Sequence, residues 1–193
     1  MNSVVHTFFS NEECDEIAIL CERIGIKFNH NVSVYNKWDN RKIHNKEFET
    51  RMLQRYKEVY SNDTTLPFDL NSLTIDNISL SITRYYDGRF LEMHRDTSSD
   101  LTTVIVLTDE FEDGRFVLSK NKILIQNNIV DESLIHTIKK GTGLRFNGGK
   151  VYHGVLPVTK GIRKSLNIWI KPDEFKMNIN DKNFDVKKIK TFI

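Results

Sequence analysis

At 193 residues the chain is long enough for one substantial hydrophobic core and short for two, so a single domain spanning 1–193 is expected. Its 28 Lys+Arg against 26 Asp+Glu leave a net charge of +2, which excludes a strong electrostatic footprint for nucleic acid or an anionic membrane surface. No segment has the length of a bilayer-spanning helix, and MNSVVHTFFSNEECDEI lacks the basic start and apolar run of a secretory signal. The expectation is a cytoplasmic protein with no membrane or nucleic-acid partner.

The first element follows Phe8-Phe9, where Ser10 and Glu13 form a capping-box signature and Ile17, Leu20, Cys21 and Ile24 recur at helical spacing until Gly25. Cys14 and Cys21 fall about 10 Å apart along that helix at about 1.5 Å per residue, beyond the roughly 7 Å a disulfide spans, so both are read as small apolar residues of its buried stripe. Residues 31–46 are polar and aromatic without a period and read as a loop. A second helix is expected over 46–60, where Phe48, Met52 and Tyr56 alternate with charge.

From residue 73 the character changes. LTIDNISLSITRYY, LTTVIVLT, RFVLS, KILIQ, LRFN and KSLNIWI are short, β-branched or alternating segments separated by Gly, Asp and Asn. Strands following helices argue for a mainly β sandwich or jelly roll over about 73–171, buttressed by the N-terminal helices. Residues 172–193 form an extension, read as an edge-covering element or a dimerisation segment, and its Lys187, Lys188 and Lys190 as solvated charge. The oligomeric state is left open.

The stretch LEMHRDTSSD places His94 and Asp96 two residues apart, on one face of an extended segment. A third ligand would complete a metal site. His6, His30, His44 and His136 sit in edge, loop or ordinary charged settings, whereas His153 lies between a glycine pair and a strand. Two histidines and one carboxylate on a β scaffold match the facial triad of non-haem Fe(II) oxygenases, and the same residue types also serve a catalytic zinc.

Arg163 and Ser165 follow His153 by ten and twelve residues. Alternation puts Arg163, Ser165, Asn167 and Trp169 on one face of that strand and Leu166, Ile168 and Ile170 on the other. An inward arginine is costly without an anion, and a dicarboxylate co-substrate would supply one in fork geometry, with the serine hydroxyl beside it.

HxD, then His, then Arg-x-Ser at plus ten resembles the 2-oxoglutarate and Fe(II)-dependent oxygenase superfamily, and within it the prolyl 4-hydroxylase-like group. FFSNEECDEI, RYYDGRFLEMHRD, LTTVIVLTDEFEDGRFVL and KKGTGLRFNGGKVYHGVLPVTKGIRKSLNIWI carry the likeness, which covers about residues 4–171. The resemblance implies a double-stranded β-helix, iron held by His94, Asp96 and His153, and 2-oxoglutarate held by Arg163 and Ser165 with Tyr85 and Thr102. Tyr86 is expected to pack facing the other way, and Trp169 to lie beneath the metal in a packing role. It implies dioxygen as oxidant, with ascorbate a candidate supporting reductant. The carboxylate of Asp96 favours hydroxylation over halogenation, since related halogenases have a small residue there.

By the same resemblance the substrate is a prolyl residue of a protein or peptide, with a free amino acid or small metabolite as the alternative. A nucleobase oxygenase, a zinc hydrolase and a non-catalytic binding module are weaker, because the charge is near neutral and all four site residues are present. Arg89, Arg95 and Arg115 are candidate substrate contacts around the mouth, and Tyr35, Trp38 and Arg41 lie in the polar segment expected to act as a lid. Leu91, Val106 and the Asp113-Gly114 pair depart from the group's pattern and are expected to line the same mouth.

Overall fold

The computed structural model describes residues 3–27, 39–96, 101–125 and 130–171. Tyr35, Trp38 and the 172–193 extension lie outside the described residues. Among the described residues, no helix is long and apolar enough to cross a membrane.

The chain begins with β1 (Val4–Thr7), α1 (Asn11–Ile24), β2 (Gly25–Lys27), β3 (Asp39–Ile43) and α2 (Lys46–Val59). The Ser10 capping box forms: Ser10 Oγ accepts from the Glu13 N–H at 3.2 Å, and the Glu13 carboxylate accepts from the Ser10 N–H at 2.9 Å. Glu13 also pairs with Arg55 of α2 at 2.6 Å, tying the two helices together. Asn45 caps α2, its Oδ1 accepting from the Phe48 N–H at 2.9 Å. Asn45→Ala is expected to cost about 0.5–2 kcal/mol by urea denaturation without altering the m-value. Cys14 and Cys21 are free and buried, as their spacing requires, and burial pushes their thiols up to about 11 and about 12.

The strands that follow are β4 (Ile78–Tyr86), β5 (Leu91–His94), β6 (Leu101–Val106), β7 (Phe111–Asp113), β8 (Phe116–Ser119), β9 (Ile135–His136), β10 (Thr142–Phe146), β11 (Tyr152–Val155) and β12 (Val158–Ile170). They form two antiparallel sheets, a larger one in the order β1-β10-β6-β12-β4-β3-β2 and a smaller one in the order β5-β11-β8-β9. This is the mainly β, double-stranded β-helix architecture expected, with the helices on its flank.

Two readings need correction. β3 lies inside the segment read as a loop; its polar sequence DNRKI hides a strand that pairs with β4 from Asp39↔Arg84 to Ile43↔Leu80. KILIQ forms no strand over its described residues 122–125: Ile125 is buried and Leu124 is 78% exposed, so the run inserts one side chain under the smaller sheet.

β4, β6 and β12 run through the middle of the larger sheet and are covered on both faces, so the alternation appears in chemistry rather than in burial. Leu80, Ile82, Ile105, Leu166, Ile168 and Ile170 join one apolar cluster with Ile17, Met52 and Tyr56 of the helices. Residues of opposite parity, Tyr85, Val104 and Val106 among them, face the other sheet and pack with Phe116, Phe146 and Val155. The polar members of that inner face form the site.

The chain passes from β4 to the smaller sheet through Asp87 and Gly88, both at positive φ (49° and 73°), with the Arg89 N–H bonded to the Tyr86 carbonyl at 2.9 Å. Two consecutive left-handed residues define a tight turn that Asp-Gly accommodates at little strain. The turn delivers the next strand, β5, to the smaller sheet with His94 at its end.

Candidate active site

β5 and β11 are antiparallel neighbours, and their register sets His94 directly opposite His153. Asp96 lies just past β5, where its backbone N–H donates to the Gly148 carbonyl at 3.0 Å. The three side chains converge so that one ligand atom from each lies within 4.8 Å of the others. Asp96 Oδ1 is 3.7 Å from His94 Nε2 and 3.6 Å from His153 Nε2.

The imidazoles are held in one tautomer. His94 Nδ1 lies 3.0 Å from the Glu92 carbonyl and His153 Nδ1 lies 3.1 Å from the Val151 carbonyl. A carbonyl only accepts, so Nδ1 carries a proton in each ring and Nε2 is the nitrogen turned toward Asp96. Burial, helped by the nearby His153, lowers the His94 pKa, which favours the neutral, ligating form.

Asp96 is anchored by one oxygen and turns the other toward the two imidazoles. Oδ2 accepts from Thr102 Oγ1 at 2.5 Å and from Trp169 Nε1 at 3.1 Å. Burial opposes the charged carboxylate, but the His153, Thr102 and His94 side chains outweigh it and hold the group well below the usual carboxylate range. Trp169 therefore does more than the packing expected of it: its indole N–H orients the Asp96 carboxylate. Gly148 makes the approach possible, since a Cβ there would overlap Thr102 Oγ1 and Asp96 Oδ2. Gly148→Ala is expected to displace Asp96 and weaken metal binding about 10- to 100-fold, read by competition with a chelator.

Arg163 lies deeper in the same cleft and is 2% exposed. Its Nη1 donates to Ser165 Oγ at 3.1 Å, and its guanidinium carbon lies 5.5 Å from the centre of the Tyr85 ring. Among the described residues no carboxylate pairs with it. Burial lowers the Arg163 pKa and pushes the Tyr85 phenol up to about 12, so guanidinium and neutral phenol face each other at physiological pH. Ser165 Oγ and Thr83 Oγ1 share a hydrogen bond of 2.7 Å, and Asn167 Nδ2 donates to Thr83 Oγ1 and Ser81 Oγ at 3.3 Å. The Thr83↔Ser165 register between β4 and β12 builds this polar floor.

The cleft between triad and arginine measures about 60 Å³. Leu91, Val104, Phe116 and Val155 give it apolar walls, and the rings of Phe146 and Phe116 lie 4.8 and 6.0 Å from that of His153. The donor set of two imidazoles and one carboxylate fits a divalent transition metal, and the cationic end fits a carboxylate.

The structure thus brings together His94, Asp96, His153, Arg163, Ser165, Tyr85 and Thr102 around one cleft. Arg89, Arg95, Arg115 and Arg41 do not line it. Arg89 stacks on Tyr86 at 4.1 Å and lies 3.7 Å from Asp39; Arg95 stacks on Tyr152 at 4.1 Å. Arg115 pairs with Asp113 and Glu132, and Arg41 donates to the Glu22 carbonyl at 3.0 Å. Of the departures from the family pattern, Leu91 lines the cleft, whereas Val106, Asp113 and Gly114 border a separate cavity behind Arg163. Tyr86 faces away from the cleft as expected, bearing the Arg84 and Arg89 guanidinium groups. Thr83 and Gly148 escaped the sequence reading, whereas Asn167 was placed on the inner face with Arg163 but given no role. Thr83 shares the parity of Tyr85, so strand alternation was the available signal for it.

Residues 80–171 match the sequence model of the 2OG-Fe(II) oxygenase superfamily, whose members use Fe(II), 2-oxoglutarate and dioxygen. No curated protein matches the chain significantly. Among solved structures, a prolyl hydroxylase of Trichoplax adhaerens in complex with a hypoxia inducible factor oxygen degradation domain peptide fragment superposes with a TM-score of 0.64 at 15% identity, covering 93% of this chain and 87% of that one. The viral collagen prolyl hydroxylase of Paramecium Bursaria Chlorella virus-1, as its 2OG complex, gives 0.60 at 16% identity, covering 88% and 94%. A prolyl-4-hydroxylase of Pseudomonas putida gives 0.60 at 16%, covering 88% and 92%. At these identities the likeness establishes the shared fold.

Proposed function

We propose that the chain hydroxylates an unactivated C–H bond of a prolyl residue in a protein or peptide, with His94, Asp96 and His153 holding Fe(II) and Arg163 and Ser165 holding the distal carboxylate of 2-oxoglutarate. The observation that carries this reading is one cleft shared by a three-ligand cluster and a buried guanidinium that has no carboxylate partner among the described residues. Such a cation is stabilised by an anion in fork geometry, and a dicarboxylate long enough to reach the triad provides it.

When bound, iron and 2-oxoglutarate supply oxidative decarboxylation of the oxo acid coupled to transfer of one oxygen atom to carbon. The chain's residues orient and shield. The Glu92 and Val151 carbonyls fix the two imidazoles, Thr102 and Trp169 fix Asp96, and the Thr83 hydroxyl positions Ser165 against Arg163. Leu91, Val104, Phe116 and Val155 exclude water from the reacting region. Their apolar surface suits an uncharged ring, and the prolyl hydroxylase structures that share the fold, one bound to a peptide, support that substrate by analogy.

The test is mass spectrometry of iron-loaded protein incubated with 2-oxoglutarate and either proline-containing peptides or free amino acids. One oxygen added to a peptide proline, with matching succinate release, is the expected result. Oxygen found on a free amino acid, with peptides untouched, overturns the substrate while leaving the oxygenase; absence of succinate under every condition overturns both.

A further inference from the structure

Arg163 has a cavity on each side. The second, of about 40 Å³, is bordered by Val106, Gly114, Ile138 and the side of β9 that carries His136, and it shares only Phe116 and Arg163 with the triad's cleft. That volume is well above the roughly 10–15 Å³ one water needs. The arginine is therefore a partition rather than a back wall.

The partition is lightly held. The Arg163 guanidinium makes one hydrogen bond among the described residues, to Ser165. Gly114, at a φ of 65°, keeps its stem free: a Cβ there would lie 3.1 Å from Arg163 Cδ and 2.6 Å from Val158 Cγ2. Val106 presents a short side chain to the space behind, on the β6 face that also carries Thr102 and Val104 into the cleft. A rigid end wall would discriminate against one extra methylene by roughly 10- to 200-fold.

We infer that the guanidinium can retreat into this rear cavity, so that the pocket accepts a 2-oxo dicarboxylate one methylene longer than 2-oxoglutarate, with Val106 setting the limit of chain length. The inference rests on Arg163 as the partner of the co-substrate's distal carboxylate. With 2-oxoadipate the reaction stays balanced: the oxo acid loses carbon dioxide and becomes glutarate, one atom of dioxygen entering its new carboxylate and the other the hydroxylated substrate.

The experiment is anaerobic titration of the Fe(II)-loaded protein with 2-oxoglutarate and 2-oxoadipate, followed by the visible charge-transfer band and in parallel by thermal shift. Binding of 2-oxoadipate within about tenfold of 2-oxoglutarate is expected. Val106→Ile, which adds one methylene to the rear cavity, is expected to weaken 2-oxoadipate by about tenfold or more and to leave 2-oxoglutarate within about twofold. Val106→Leu is the second variant should the first fold poorly. A wild-type preference for 2-oxoglutarate above tenfold, or equal loss of both acids in the folded variant, overturns the inference alone. Failure of 2-oxoglutarate itself to bind overturns the reading of Arg163 as well.

Discussion

Asp96→Asn is expected to remove metal binding and turnover together while leaving the fold intact. The amide can keep a carbonyl oxygen on Thr102 and Trp169, so the anchoring hydrogen bonds that hold the carboxylate at Oδ2 survive. What it presents toward His94 and His153 in place of Oδ1 is an amide nitrogen, which carries no charge and offers no lone pair to a metal. The expected fall in turnover is roughly a thousandfold or more, ~4 kcal/mol on a scale where about 1.4 kcal/mol is tenfold. Circular dichroism superimposable on wild type, with loss of bound iron by elemental analysis, separates ligand loss from unfolding. Near-normal iron content in the variant would show that the metal does not depend on this carboxylate.

Arg163→Ala is the second large effect. The variant removes the one cation that the described residues place at the inner end of the cleft, and loss of one partner from a buried, hydrogen-bonded charge pair costs about 2–5 kcal/mol, or roughly 30- to 5,000-fold in affinity. That loss is expected in the KM for 2-oxoglutarate, with the prime substrate's KM little changed. Arg163→Lys should fall between the two, because a lysine ammonium delivers charge without the planar fork. The alanine variant need not unfold, since the wild-type guanidinium is itself buried at a cost and no carboxylate of the described residues is left orphaned.

The site was legible where strand alternation alone determines geometry. His94 and Asp96 are two residues apart near one strand end, and Arg163, Ser165, Asn167 and Trp169 share the inner face of β12, so a period of two was enough. The helices were legible through their caps and apolar stripes. β3 was not, because a polar strand near the edge of a sheet is held by backbone pairing and by ion pairs such as Arg84 with Asp39, neither of which leaves an apolar period. KILIQ misled for the opposite reason: β-branched residues in a row also describe an irregular segment that buries one side chain, Ile125. Thr83 against Ser165, Gly148 beneath Asp96 and the cavity behind Arg163 depend on register between segments far apart in the chain, which composition and spacing do not encode.

The most direct measurement is anaerobic addition of Fe(II) and then 2-oxoglutarate to the metal-free protein, with Arg163→Ala beside it. A weak visible charge-transfer band that saturates with 2-oxoglutarate, and needs about 30-fold or more additional oxo acid in the variant, is the predicted result. No band in the wild type, with zinc retained in preference to iron and the variant indistinguishable, would contradict the account and return the His94, Asp96 and His153 cluster to a hydrolytic or purely structural metal site.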